Sequence, residues 1–117
     1  MSTPRTTTAR STERTPMTER LPPVRARRKT VALFRALAHE GRLTVLLALR
    51  RRGEASVREL ERVTRMEQSA LSHQLRALRE ARLVRAERRG RQVFYALHDE
   101  HVAHIVGDAV RHVQEAP

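Results

Sequence analysis

The amino-acid sequence predicts a mainly α-helical domain with a β-hairpin wing, a winged helix-turn-helix. Three patterns carry that expectation: helical spacing of apolar residues from Val31 to Leu78, a strand-turn-strand pattern centred on Gly90, and one amphipathic stretch that follows Asp99. The chain has 117 residues, enough for a modest core, so a single folded domain is expected.

Residues 1–27 are rich in Thr, Arg, Ser and Pro and hold almost no large apolar residue. Such a segment cannot bury enough surface to offset the entropy of ordering, so it is expected to be a disordered basic arm ahead of a folded domain at 28–117. Within that domain Val31, Phe34, Leu37 and Ala38 recur at helical spacing. After a break at His39-Glu40-Gly41, the residues Leu43, Leu46, Leu47 and Leu49 form a second helix, which Gly53 ends. Ser56, followed three residues later by Glu59, is a capping-box signature, and Val57, Leu60 and Val63 continue it as a short third helix.

A turn at residues 64–67 leads into a fourth helix, in which Ala70, Leu71, Leu75 and Leu78 share the apolar face while Ser69, Ser72, His73 and Arg76 look outward. The third and fourth helices therefore make a helix-turn-helix. Leu83 to Glu87 and Gln92 to Leu97 read as strands joined through Arg88-Arg89-Gly90-Arg91, with Gly90 supplying the tight turn. Asp99 then opens the last helix as its N-cap, and Val102, Ile105, Val106, Ala109 and Val113 make its apolar face.

The formal net charge is +11, so the field around the protein attracts polyanions, nucleic acid first among them. No apolar run approaches the ~20 residues that a membrane span requires, and the N-terminus lacks the apolar core of a signal peptide. A cytoplasmic protein without a membrane partner is expected. Cysteine is absent, which removes disulfides, thiolate metal sites and cysteine nucleophiles together. Any metal would have to be held by His, Asp or Glu. The only aromatic residues are Phe34, Phe94 and Tyr95, too few to stack the bases of a single strand.

A recognition helix needs small polar and bidentate side chains facing out near its start, because base edges in the major groove are read by hydrogen bonds. Gln68, Ser69, Ser72, His73 and Arg76 meet that need: Gln can bond adenine, Arg can bond guanine, and serines can bond phosphate or base. Arg88, Arg89 and Arg91 around the hairpin turn suit the backbone or the minor groove of double-stranded DNA. An enzyme acting on a small organic substrate is not expected. Ser72 and His73 are helical neighbours that point about 100° apart, and no Gly-rich phosphate loop is present.

The run Leu37-Ala38-His39-Glu40-Gly41-Arg42-Leu43 and the run from Gln68 to Leu78, with Ser72-His73-Gln74-Leu75 at its centre, resemble the ArsR/SmtB family of metal-responsive repressors. The wing Gly90-Arg91-Gln92-Val93-Phe94-Tyr95-Ala96-Leu97 adds to the likeness, which runs from Leu37 to Glu115. The resemblance implies a homodimeric repressor whose first and last helices form the dimer interface, which holds an operator when metal-free and releases it when metal binds. Two departures stand out. This chain has Arg65 and Glu67 where the family often has Gly and a Ser or Thr cap, and it lacks the family's thiolate site, which excludes arsenite or cadmium sensing through thiolates.

Four residues of the last helical stretch bear on sensing. Asp99, His101, His112 and Glu115 offer two imidazoles and two carboxylates, a donor set that suits tetrahedral zinc. His101 and His112 are eleven residues apart, roughly 16 Å along a helix axis, whereas donors to one ion converge to ~2 Å from it. If the four bind one metal, two chains must supply it, and two antiparallel helices about a twofold axis would create two identical sites. The zinc-type branch of the family carries an Asp-x-His and a His-x-x-Glu or His-x-x-His in these places, which Asp99-Glu100-His101 and His112-Val113-Gln114-Glu115 resemble.

His104 and Asp108 share the stripe but fall outside that pattern. Zinc is the expected ion, with nickel and cobalt as alternatives. The competing functions are a metal-blind winged-helix regulator or a DNA-architectural protein.

Overall fold

A computed structural model describes residue 16 and residues 19–115, so most of the arm expected at 1–27 lies outside the described residues. The chain divides into two units, Met1–Val31 and Ala32–Pro117, with the division falling inside the first helix. That helix, α1 (Val24–Leu37), starts directly after Pro22-Pro23, seven residues ahead of Val31, where the apolar periodicity begins. Proline is tolerated at a helix start because the first N–H groups have no helical partner there. Arg25, Arg27, Arg28 and Lys29 are good helix formers, which lets a polar segment extend the helix. Arg27 donates to the Pro22 carbonyl at 2.6 Å, and the Thr30 hydroxyl to that of Ala26 at 2.8 Å.

In the second unit, Leu33, Ala36 and Leu37 of α1 pack against the core. The expected facing is thus rotated, since Phe34 is 55% exposed and Val31, on the other side of the division, is exposed too. The helix α2 (Glu40–Arg52) opens on His39, whose Nδ1 accepts the Arg42 amide at 3.3 Å, so Gly41 lies inside its first turn and not in a break. Val45, Leu46 and Leu49 are fully buried, while Leu43 and Leu47 are partly buried and also reach the core. A helix apolar on several faces belongs at the centre, and α2 meets every later helix and the sheet. Gly53 ends it at φ 88, its amide bonded to the Leu49 carbonyl at 2.8 Å.

A two-residue strand, β1 (Ala55–Ser56), follows; the sequence gives no warning of it because two residues are too few for alternation. The expected capping box forms at the start of α3 (Val57–Thr64): the Glu59 amide donates to Ser56 Oγ at 3.2 Å and the Ser56 amide to Glu59 Oε1 at 2.9 Å. Arg65 closes this helix in the left-handed region at φ 59 and ψ 25. A side chain there costs about 1 kcal/mol, so the turn keeps a conformation suited to glycine without having one.

The helix α4 (Gln68–Glu80) buries Leu71, Leu75 and Leu78 on one stripe, but Ala70 is exposed, in contrast to the expectation. Ala70 lies about 100° around the helix from Leu71, beyond the edge of the stripe. Gln74 takes the inner edge instead; it is buried, and its Oε1 finds no partner among the described residues. A Schellman turn ends α4: the Leu83 amide bonds the Leu78 carbonyl at 2.9 Å and the Arg82 amide bonds that of Arg79 at 3.0 Å. Leu78 and Leu83 are both buried, and Arg82 takes the left-handed position at φ 60.

The hairpin is longer than expected, with β2 (Val84–Arg89) paired to β3 (Gln92–Leu97) from Val84↔Leu97 to Arg89↔Gln92, so the turn is only Gly90-Arg91. Strand β3 is central, with β1 on its other edge through Ala55↔Tyr95 and Ser56↔Phe94. The last helix, α5 (Glu100–Glu115), buries Val102 and Val106. Arg50 lies across it, donating to the Ala103 carbonyl at 3.0 Å and passing where a Cβ on Gly107 would sit. Beyond that point Ala109 and Val113 are uncovered, Val113 to 71%.

Candidate functional site

Packing of Leu71, Leu75 and Leu78 into the core turns the opposite face of α4 to solvent. Gln68, Ser69, Ser72, His73 and Arg76 are all exposed there, as the sequence predicts. The last four line a shallow cleft of about 200 Å³. The Ser69 hydroxyl donates to the Glu67 carboxylate, whereas His73 and Arg76 make no hydrogen bond or ion pair with the described residues. An imidazole and a guanidinium are thus free to meet a ligand.

Gln68 shares a second cleft with Arg58 and with Arg91 of the hairpin turn. The helix start and the wing therefore face one space. Arg88 and Arg91 are exposed, Arg88 Nη1 lying 3.4 Å from the Gly90 carbonyl. Arg89 has other commitments: it donates to both oxygens of Glu54 at 2.6 and 3.0 Å and to Glu87 at 2.8 Å. Its guanidinium also sits 4.8 Å from the Phe94 ring centre. The hydrogen bond to Arg89 holds the Glu54 carboxyl below its ordinary range, and the two carboxylates push Arg89 upward. Of the three wing arginines, Arg89 carries a charge that is already answered.

A third cleft, of about 520 Å³, joins Ser72 and Arg76 to Arg79, Glu80 and Tyr95. Arg58, Arg79 and Tyr95 were not expected at this face. Arg79 could have been found by extending the outward stripe of α4 one turn, whereas Arg58 and Tyr95 come from other elements.

The expected metal residues fall at the two ends of α5. Asp99 caps the helix, its Oδ1 accepting the Val102 amide at 3.2 Å, and His101 Nδ1 stands 3.6 Å from the same oxygen. The Val102 hydrogen bond, with His101 adding to it, holds the Asp99 carboxyl below the usual range. The Asp99 and His101 side chains are 44% and 89% exposed, and His112 and Glu115 are exposed in the last turn. Among the described residues no three His, Asp or Glu side chains converge on a point. Each end of α5 carries one carboxylate and one imidazole, residue types that can ligate a divalent ion. His104 forms a separate loose pair with Glu100 at 3.9 Å, and Asp108 pairs with Arg111.

A helix-turn-helix with an exposed polar outward face and an adjoining two-strand wing defines a winged-helix DNA-binding regulator. The family described as bacterial regulatory protein, arsR family, matches residues 39–86, from the cap of α2 into β2. The chain is 43% identical over 84 residues to the HTH-type transcriptional regulator NmtR of Mycobacterium tuberculosis, which covers 72% of this chain and 69% of that protein. Other curated regulators at the same identity are spanned over 61 to 62% of their length. The chain belongs to the arsR family of bacterial transcriptional regulators.

Solved structures agree on the fold. The AntR antimony-specific transcriptional repressor matches at TM-score 0.75 and 31% identity, over 85% of this chain and 90% of that one. The homodimeric winged helix-turn-helix domain Mb0332 of Mycobacterium bovis matches at 0.71 and 28% identity, over 82% and 90%. The proteins matched are regulators of transcription and not enzymes. Among the described residues no helix is long and apolar enough to cross a membrane.

Proposed function

We propose that this chain is a homodimeric repressor that holds operator DNA through α4 and the wing and lets go when zinc binds between the α5 helices of two subunits. The observation that carries the reading is the division of the donor set on α5: Asp99 and His101 stand at its start, His112 and Glu115 at its end, with no convergence among the described residues of one chain. An antiparallel pair of α5 helices puts one half-set beside the other, twice per dimer. The uncovered Ala109 and Val113, together with Phe34 of α1, supply apolar surface for such a pairing. Burying large apolar side chains of this kind contributes about 1.5–3 kcal/mol each.

Gln68, Ser69, Ser72, His73 and Arg76 read the major groove, and Arg88 and Arg91 hold the flanking backbone. Arg89 serves the wing's own structure through Glu54. Bound zinc would tie the beginning of one α5 to the end of the other, and so fix the spacing of the two reading helices. Release requires tighter metal binding to the dimer form with the weaker DNA affinity, and the coupling must be reciprocal. Two imidazoles with two carboxylates favour tetrahedral zinc; nickel and cobalt prefer more ligands than these four.

The test is a titration of the full chain on a duplex selected by the metal-free protein, using zinc, nickel and cobalt in turn. One zinc per chain with loss of the duplex is the expected result, and His112→Ala should stay bound throughout. A wild-type protein that ignores all three ions on the duplex would establish a metal-blind regulator.

A further inference from the structure

Ser69, Ser72, Arg76 and Arg79 follow one another at three, four and three residues, a single outward stripe along α4. From Ser69 to Arg79 this stripe rises roughly 15 Å, more than the ~12 Å width of the major groove. If the first turn of α4 reads bases with the helix entering the groove at an angle, its last turn lies at the groove's edge, where the sugar-phosphate backbone runs. The cleft found there is lined by Ser72, Arg76, Arg79, Glu80 and Tyr95. Arg76 and Arg79 are exposed and make no ion pair with the described residues. Two guanidiniums and one carboxylate leave the cleft a net single positive charge, the complement of one phosphodiester.

Tyr95 is brought to the cleft by β3, the central strand. It shares the core-facing side of β3 with Leu97, so its ring packs on the core while its phenol end can still reach polar surroundings.

We infer that Arg79 and the Tyr95 hydroxyl clamp a DNA backbone phosphate, so that the last turn of α4 fixes the depth and angle at which its first turn meets the bases. This rests on the reading of α4 as the recognition helix. The clamp carries no sequence information: it positions, and Gln68 and its neighbours specify.

The experiment measures binding of the full chain to two labelled duplexes, one of mixed sequence and one selected by the wild-type protein, across a range of salt. Arg79→Gln should weaken binding to both and lower the slope of log affinity against log salt by about 0.9, one phosphate's share, leaving the preference between duplexes unchanged. Tyr95→Phe keeps the packed ring and should weaken both about threefold to tenfold at an unchanged slope. Glu80→Gln should tighten both. Arg35→Gln removes the same charge from α1 and serves as the control.

If Arg79→Gln behaves like Arg35→Gln while Gln68→Ala still erases the preference, the clamp is overturned and the recognition helix stands. If selection by the wild-type protein yields no duplex preferred over the mixed sequence, or Gln68→Ala leaves the preference intact, the recognition reading fails and takes the clamp with it.

Discussion

Helices α4 and α5 are both amphipathic and both turn polar side chains outward, yet they stand at different stages of completeness. In α4 the outward stripe, the wing turn beside Gln68 and the clefts on its flanks all come from one chain. In α5 each end carries one carboxylate and one imidazole, with no closed cluster among the described residues, beside an exposed apolar edge. The difference assigns the parts of the protein to two levels of organisation. On the proposed function, recognition is built within a subunit, whereas sensing is built between subunits, where it would alter how far apart two recognition helices stand.

The largest expected effect breaks the sensing half alone. Asp99→Asn keeps a cap of nearly equal strength at the start of α5 but removes a charged donor, and together with His101→Ala it should weaken zinc binding more than about 100-fold by calorimetry, since even outer partners of metal ligands are worth 10–100-fold. Affinity for a selected duplex without metal should stay within about twofold. A joint loss of metal and DNA binding would mean that the two helices are not separable in this way.

The converse change breaks both halves. Leu75 is buried between the reading face and the core that also supports α5, so Leu75→Ala should cost about 2–5 kcal/mol in urea unfolding and weaken the two activities in parallel.

Arg65→Gly sharpens the comparison from the stability side. It relieves a left-handed residue in the turn just before α4 and should stabilise the chain by about 0.5–1 kcal/mol, measured by the same unfolding. The metal affinity of α5 should not change.

A smaller effect appears in acid. The Ser56 amide, helped by Arg52, holds the Glu59 carboxyl below its ordinary value of 4.5. A carboxylate depressed in the folded state adds stability that is present above the ordinary value and is lost as pH falls through the folded one. The melting temperatures of the wild-type chain and Glu59→Gln should therefore differ at neutral pH and converge in acid. A gap that persists after the Glu59 carboxylate is fully protonated would locate the effect in packing.

The two halves also differed in how far they could be read from residues alone. Local signals survived intact: the Ser56 and Glu59 box, the Gly53 stop, the Gly90 turn, the Asp99 cap and the outward face from Gln68 to Arg76 are all set by neighbours within four residues. Where distant residues decide, the sequence was less informative. Arg89 is bound by Glu54, 35 residues away; β1 exists only because β3 is there to pair with it. Phe34 looks like core by periodicity but is exposed, and Gln74 looks polar but is buried. Such facings depend on which side of a helix a partner occupies, and the pattern of one segment does not carry that information.

The claim that sensing lies between subunits is tested most directly by complementation. One chain carries Asp99→Ala and His101→Ala, the other His112→Ala and Glu115→Ala; each is titrated with zinc alone and after the two are unfolded and refolded together in equal amounts. Neither should hold zinc alone. Random pairing makes half of the dimers mixed, each with one intact site, so the mixture should recover about one zinc per four chains. No recovery in a mixture shown to contain mixed dimers, or full zinc binding by either chain alone, would contradict the shared site.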